Sequence, residues 1–196
     1  RYEGWIYKIT ENKKVTPNIE VATQNVTVGD SVEVEVTVPK DSSANVIATV
    51  GDVGYEGKAI NGKAKISIPN LKVGNHNVVV TFAGDSKYLS QTKVVPVTVY
   101  KKMVLITMDC AYEIVEGKVL TVEVGLSGVA GKVKVNGIEA VLTDGKAIVN
   151  ISDLPIGENT ITAVYEGDDT YEASSISSIV TVNPKGDVGL KASASD

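Results

Sequence analysis

The sequence predicts an all-β chain made of two tandem antiparallel β-sandwiches. Three observations carry this prediction. Val, Ile and Thr dominate the apolar and hydroxyl positions, and these side chains suit a pleated, half-buried surface. Apolar and polar residues alternate with period two in several runs, while no long stretch places apolar residues at i, i+3, i+4 and i+7. The second half of the chain also repeats the first. With 196 residues, 43% hydrophobic and 22% charged, the chain can build one large core or two small ones.

The elements follow in order. Val32 to Val38 reads VEVEVTV, with valines on one face and Glu33, Glu35 and Thr37 on the other. Lys63 to Ile68 (KAKISI), Lys132 to Val135 (KVKV) and Ala147 to Ile151 (AIVNI) repeat the pattern. One dry and one wet face is the mark of antiparallel sheets packed as layers. Asn61-Gly62, Asn136-Gly137 and Asp144-Gly145 punctuate these runs, and such dipeptides supply the positive φ of tight hairpin turns. The expected core faces are Val34 and Val36, Ile66 and Ile68, Val78 with Val80 and Phe82, and Val97 with Val99. In the second copy they are Val122 and Val124, Val149 and Ile151, Ile161 with Ala163 and Tyr165, and Val182.

The repeat fixes the organisation. Leu71–Val99 aligns without a gap onto Leu154–Val182 at an offset of 83, with 8 of 29 positions identical. The identities include Gly84/Gly167, Asp85/Asp168, Tyr88/Tyr171 and the closing Val-Thr-Val. Farther upstream, Val28-Gly29-Asp30 matches Glu116-Gly117-Lys118 at an offset of 88, which implies five extra residues in copy one. The turn-rich stretch Pro39–Ser43 is the expected place for them. The expected domains are repeat 1 over 17–100 and repeat 2 over 101–183, each with some seven strands. The junction at Tyr100-Lys101-Lys102 has no Gly or Ser, so an elongated pair with little swing is expected. Lys13-Lys14 aligns with Lys101-Lys102. Residues 1–16 then read as the end of a preceding repeat or a capping strand, and Tyr2-Glu3-Gly4 echoes Tyr165-Glu166-Gly167. Residues 184–196 read as a flexible tail.

The second half of each copy carries a pattern: a leucine, a glycine turn, an alternating strand ending in Gly-Asp, and a tyrosine three residues on. It runs Leu71…Gly74…Gly84-Asp85…Tyr88 and Leu154…Gly157…Gly167-Asp168…Tyr171. This resembles the bacterial-type immunoglobulin-like repeats of adhesin-like surface proteins, in methanogenic archaea and in similar bacterial adhesins, over about 17–183. The resemblance implies Ig-like sandwiches serving as a stalk or display surface outside the cell, in support of cell adhesion. It implies neighbouring repeats of the same chain as partners, and a glycan or protein of another cell as a target. The residues have a physical reading of their own. Gly84 and Gly167 permit a turn, Asp85 and Asp168 accept N–H bonds within it, and Tyr88 and Tyr171 cover the sandwich edge with the hydroxyl on a backbone group.

Composition excludes several classes of function. A net charge of −5 and a pI near 5.0 argue against a nucleic-acid binder. One histidine, His76, and one cysteine, Cys110, leave little for metal sites, catalytic dyads or an internal disulfide. His76 reads as a turn residue and Cys110 as a small buried hydrophobe. No apolar run is long enough to cross a bilayer, so no membrane insertion is expected. No signal peptide opens the chain, which is expected of a mature or excised segment.

The remaining candidates each have a bland reading beside the sharp one. Copy two carries 12 acids against 6 lysines, copy one 8 against 7. Glu166, Asp168, Asp169 and Glu172 crowd one loop and could offer oxygens to a hard cation such as calcium, but the spacing matches no calcium loop, and a solvated acidic loop is the favoured reading. No other cofactor is expected. Glu33 and Glu35 are paired acids on a wet strand face, where a glycosidase would need a cleft. Asn25 (Asn-Val-Thr) and Asn150 (Asn-Ile-Ser) are glycosylation sequons. A Lys–Asn or Lys–Asp cross-link beside a buried acid would suit a stalk, but no lysine stands out for it. The expected function is therefore non-enzymatic. The alternative is a carbohydrate- or host-protein-binding module using its loops, and Trp5 is the one tryptophan available to such a platform.

Overall fold

The computed structural model describes residues 13–42 and 44–186. Two compact units, Arg1–Lys101 and Lys102–Asp196, each hold their own core. No helix occurs among the described residues. Residues 1–12 and 187–196, which include most of the expected capping strand and tail, lie outside them.

Unit 1 has eight strands: β1 (Glu20–Ala22), β2 (Val26–Thr27), β3 (Val32–Thr37), β4 (Asn45–Val50), β5 (Val53–Lys58), β6 (Lys63–Ile68), β7 (Gly74–Phe82) and β8 (Gln91–Tyr100). Unit 2 repeats them as β9 (Ile106–Cys110), β10 (Glu113–Val115), β11 (Leu120–Leu126), β12 (Gly131–Val135), β13 (Ile138–Leu142), β14 (Lys146–Ile151), β15 (Gly157–Tyr165) and β16 (Ser174–Asn183). Each unit packs a three-stranded sheet on a five-stranded one. In unit 1 the orders are β1-β3-β6 and β2-β8-β7-β4-β5; in unit 2 they are β9-β11-β14 and β10-β16-β15-β12-β13. The first strand of each sandwich breaks after a few residues and crosses to the other sheet. There it pairs in parallel with the last strand, as β2–β8 and β10–β16. All other pairs are antiparallel. This is an immunoglobulin-like sandwich.

The alternation in the sequence becomes burial. β3 alternates strictly between buried and exposed, with Val32, Val34 and Val36 at most 1% exposed. All the expected core residues are buried, with Phe82, Val80 and Ile161 fully so. Each such valine or isoleucine contributes on the order of 1.5–3 kcal/mol relative to exposure. Among the described residues no polar or charged side chain other than tyrosine is buried. The buried acid that a Lys–Asn or Lys–Asp cross-link would need is therefore not among them. The three expected hairpin dipeptides all take positive φ at both residues, for instance 53° at Asn61 and 81° at Gly62.

The structure corrects two alignments. Ala48 lies opposite both Val80 and Tyr55, whereas Val135 lies opposite Ala163 and Ile138. Residues 49–54 therefore stand where copy two has only Asn136-Gly137. Most of the extra length of copy one lengthens the β4–β5 hairpin, and only a single residue falls in the Pro39–Ser43 loop. The hairpin absorbs it because the extra residues pair with each other, Thr49 with Gly54 and Val50 with Val53. The second correction is at the start of each copy, where Val15, not Lys14, is the equivalent of Lys102. Val15 N–H donates to Lys87 O and its carbonyl accepts from Leu89 N–H, as Lys102 does with Thr170 O and Glu172 N–H. Matching the lysines alone places the register one residue off.

Candidate functional site

The repeated Gly-Asp…Tyr motif forms a clasp at one end of each sandwich, in the loop after β7 or β15. Gly84 sits at φ +77°, and a Cβ there would lie 2.7 Å from Ser90 N and 2.8 Å from Tyr88 O, so only glycine fits. The turn then folds onto Asp85. Its Oδ1 accepts the N–H groups of Lys87 (2.8 Å) and Tyr88 (2.9 Å), and its own N–H donates to Tyr88 O (3.0 Å). Asp85 Oδ2 accepts the Ser42 hydroxyl at 2.6 Å. Tyr88 donates its hydroxyl to Asp41 Oδ1 at 2.9 Å, and Lys87 Nζ reaches Asp41 Oδ2 at 2.8 Å. With Val15 bridged to Tyr88, the clasp joins the incoming chain, the β3–β4 loop and the β7–β8 loop. Lys87 first and Tyr88 second hold the Asp41 carboxyl below its ordinary range, and Asp41 in turn raises both partners.

Copy two builds the same clasp with different outer partners. Gly167 has φ +79°, with Ala173 N and Tyr171 O at 2.8 and 2.9 Å from the Cβ position. Asp168 Oδ1 accepts from Thr170 N and Tyr171 N, both at 2.7 Å. Tyr171 donates to the backbone carbonyl of Gly128 at 3.2 Å, where copy one uses the Asp41 side chain. Phe82 is replaced by Tyr165, which is 3% exposed and whose hydroxyl has no well-formed hydrogen bond. Burial first, and the adjacent Asp168 carboxylate second, push its pKa up to about 12.

The acidic loop does not converge. Glu166 turns to Lys134 at 2.7 Å, Asp168 serves the turn, and Asp169 and Glu172 join no cluster. Among the described residues no group of three or more His, Cys, Asp or Glu is placed to hold a metal. A cleft of about 460 Å³ opens beside this loop, but the lysines on its wall, Lys132 and Lys134, are ion-paired to Glu139 and Glu166. Glu33 accepts the Ser67 hydroxyl at 2.6 Å, and Glu35 pairs with Lys65 at 3.1 Å, which lowers its pKa.

The isolated candidates have structural partners. His76 Nε2 donates to Lys72 O at 2.7 Å, the same place where Asn159 Nδ2 donates to Pro155 O at 2.8 Å. Cys110 is a free, half-buried thiol packed against the core of unit 2. Asn25 is exposed, yet its Oδ1 accepts Thr98 N–H at 2.8 Å and its Nδ2 donates to the Tyr100 hydroxyl at 3.1 Å. Asn150 lies exposed on β14 and accepts from the Thr121 hydroxyl at 2.9 Å. Sequence reasoning missed Asp41 and Ser42 in the clasp and the structural task of Asn25. A lone Asp-Ser pair more than 40 residues upstream of its partners gives no local signal.

Residues 113–183, within unit 2, match the family described as Bacterial Ig-like domain (group 3). Solved structures similar to the chain include the fibronectin(III)-like modules of Clostridium thermocellum CbhA, at 18% identity and TM-score 0.35, covering 84% of this chain and 95% of that one. An amphioxus IgVJ-C2 molecule matches at 16% identity and TM-score 0.36, covering 79% of this chain and 98% of the other. No curated protein matches the chain.

Proposed function

We propose that the two Ig-like units are non-enzymatic stalk or display repeats of an extracellular, adhesin-like cell-surface protein, and that their work is to carry tension. The observation that carries this reading is the parallel pairing of the first sheet-crossing strand with the last one, β2 with β8 and β10 with β16. A pull on the two ends of a unit drags these neighbours past each other, so their hydrogen bonds are loaded together in shear. The next bonds, Val28 N–H to Tyr100 O and Glu116 N–H to Asn183 O, both 2.8 Å, extend the same patch. The clasp ties the incoming chain at Val15 and at Lys102 into the sandwich before the load reaches that patch. Sandwiches whose described residues bring no group of three or more His, Cys, Asp or Glu together suit this role better than chemistry.

Single-molecule pulling on the whole chain tests the reading. It should give two separate unfolding events, each with a distinct force peak. Val28→Pro, which deletes one donor of the patch, should lower the peak of one event and leave the other unchanged. Unfolding without force peaks, or peaks indifferent to that substitution, would overturn the mechanical reading.

A further inference from the structure

The two copies match closely along β7/β15 and β8/β16, whose burial patterns are the same for the nine residues of the first pair and nearly so for the second. They differ on the outer face of the five-stranded sheet. In unit 1 none of the outward residues of β4, β7 and β8 is charged. At its centre Val79 lies opposite Val94 and Thr81 opposite Thr92, with Ile47 beside Thr81 and Pro96 beside Asn77. Val94 is 59% exposed. Among the described strand residues the charges on that side are Glu56 and Lys58, of opposite sign, on the edge strand β5, with Asp52 at the hairpin tip. Unit 2 instead places Lys132, Lys134 and Glu139 on the corresponding strands and ties them into ion pairs. The longer β4–β5 hairpin also enlarges the sheet in unit 1 alone. A tension-bearing role asks for neither change.

We propose that this face of unit 1 is a homophilic contact, docking on the same face of a second copy of the chain about a two-fold axis. An isologous contact must be complementary to itself, and a neutral face meets that condition without matching charges. The chain as a whole carries a net charge of −5, so two copies repel over most approaches and least over this face. Strand addition along the free edge of β8 is interrupted at Pro96 and Thr98. Thr98 N–H points away from β7, toward Asn25, so the nitrogen two residues back points the same way, and there Pro96 has no hydrogen to donate.

Sedimentation equilibrium of the full chain, from micromolar into millimolar concentration, reads the contact. The chain should dimerise weakly. Val94→Glu should raise the dissociation constant at least about tenfold. Ser177→Glu, the equivalent position in unit 2, should leave it unchanged. Thermal unfolding of both variants should match the parent, because both side chains point outward. A monomer at every concentration, a dimer indifferent to Val94→Glu, or one weakened equally by Ser177→Glu would overturn the proposal. Each of these results would leave the pulling behaviour untouched.

Discussion

Tyr165 and Phe82 occupy one position in the two copies, and the difference between them is a single oxygen. Phe82 is fully buried and needs no partner. Tyr165 keeps its hydroxyl inside, against Asp168, with its pKa raised from 10.0 to about 12. A raised folded-state pKa on an acid means that the neutral form is favoured in the fold. Its contribution is whole below pH 10 and is lost as the pH climbs toward 12. Tyr165→Phe should therefore flatten the loss of unit 2 stability between those pH values. At neutral pH it should be neutral or stabilising, since it removes a buried hydroxyl without a good partner. Denaturant melts of both proteins at neutral and alkaline pH check this; an unchanged alkaline slope would contradict it. Gly84, Asp85 and Tyr88 could be read as a turn because all their bonds to one another are local. Asp41, 47 residues from Tyr88, could not, because only the folded chain brings them together.

Strand breaks and hairpins show what a local pattern can and cannot encode. From Val21 to Val26 copy one has one residue fewer than copy two has from Met108 to Ile114, although both stretches join equivalent positions of the two sheets. In copy two the backbone carbonyl of Tyr112 accepts Thr181 N–H at 2.8 Å. Copy one, with the shorter crossing, uses the Asn25 side chain for the matching Thr98 N–H. Asn25→Ala should cost about 0.5–1.5 kcal/mol in unit 1, and Asn25→Asp, which keeps an acceptor oxygen, should cost less. Chemical denaturation measures both, and an alanine variant as stable as the parent would remove the role. The sequence marked Asn25 only as a sequon, because a side chain replacing a distant backbone group leaves no motif. The alternating strands and Asn-Gly turns were legible because their periods are local. The extra residues of copy one were misplaced for the same reason. Pro39–Ser43 has loop composition, whereas 49–54 mix β-branched residues with glycine and fold into a longer hairpin.

At the scale of the whole chain, the internal repeat was the strongest signal in the sequence, and it corresponds to two units with separate cores. The surfaces have diverged in charge, whereas the core positions have exchanged side chains such as Val80/Ala163 and Phe82/Tyr165 and stayed buried. Copy two holds twice as many acids as lysines, and copy one is nearly balanced. This pattern follows from where selection on packing acts, since a core valine has many neighbours to satisfy and an outward residue few. Each repeat holds its own core and should fold without the other. Producing 13–101 and 102–186 separately, following their unfolding, and adding Val80→Ala, which opens a cavity in the core of unit 1, tests this. Each fragment should melt cooperatively with a β-sheet spectrum. The substitution should cost about 1–3 kcal/mol in the first fragment and, in the full chain, shift only the transition of unit 1. A fragment that stays unfolded alone, or a Val80→Ala chain in which both units lose stability equally, would contradict the account.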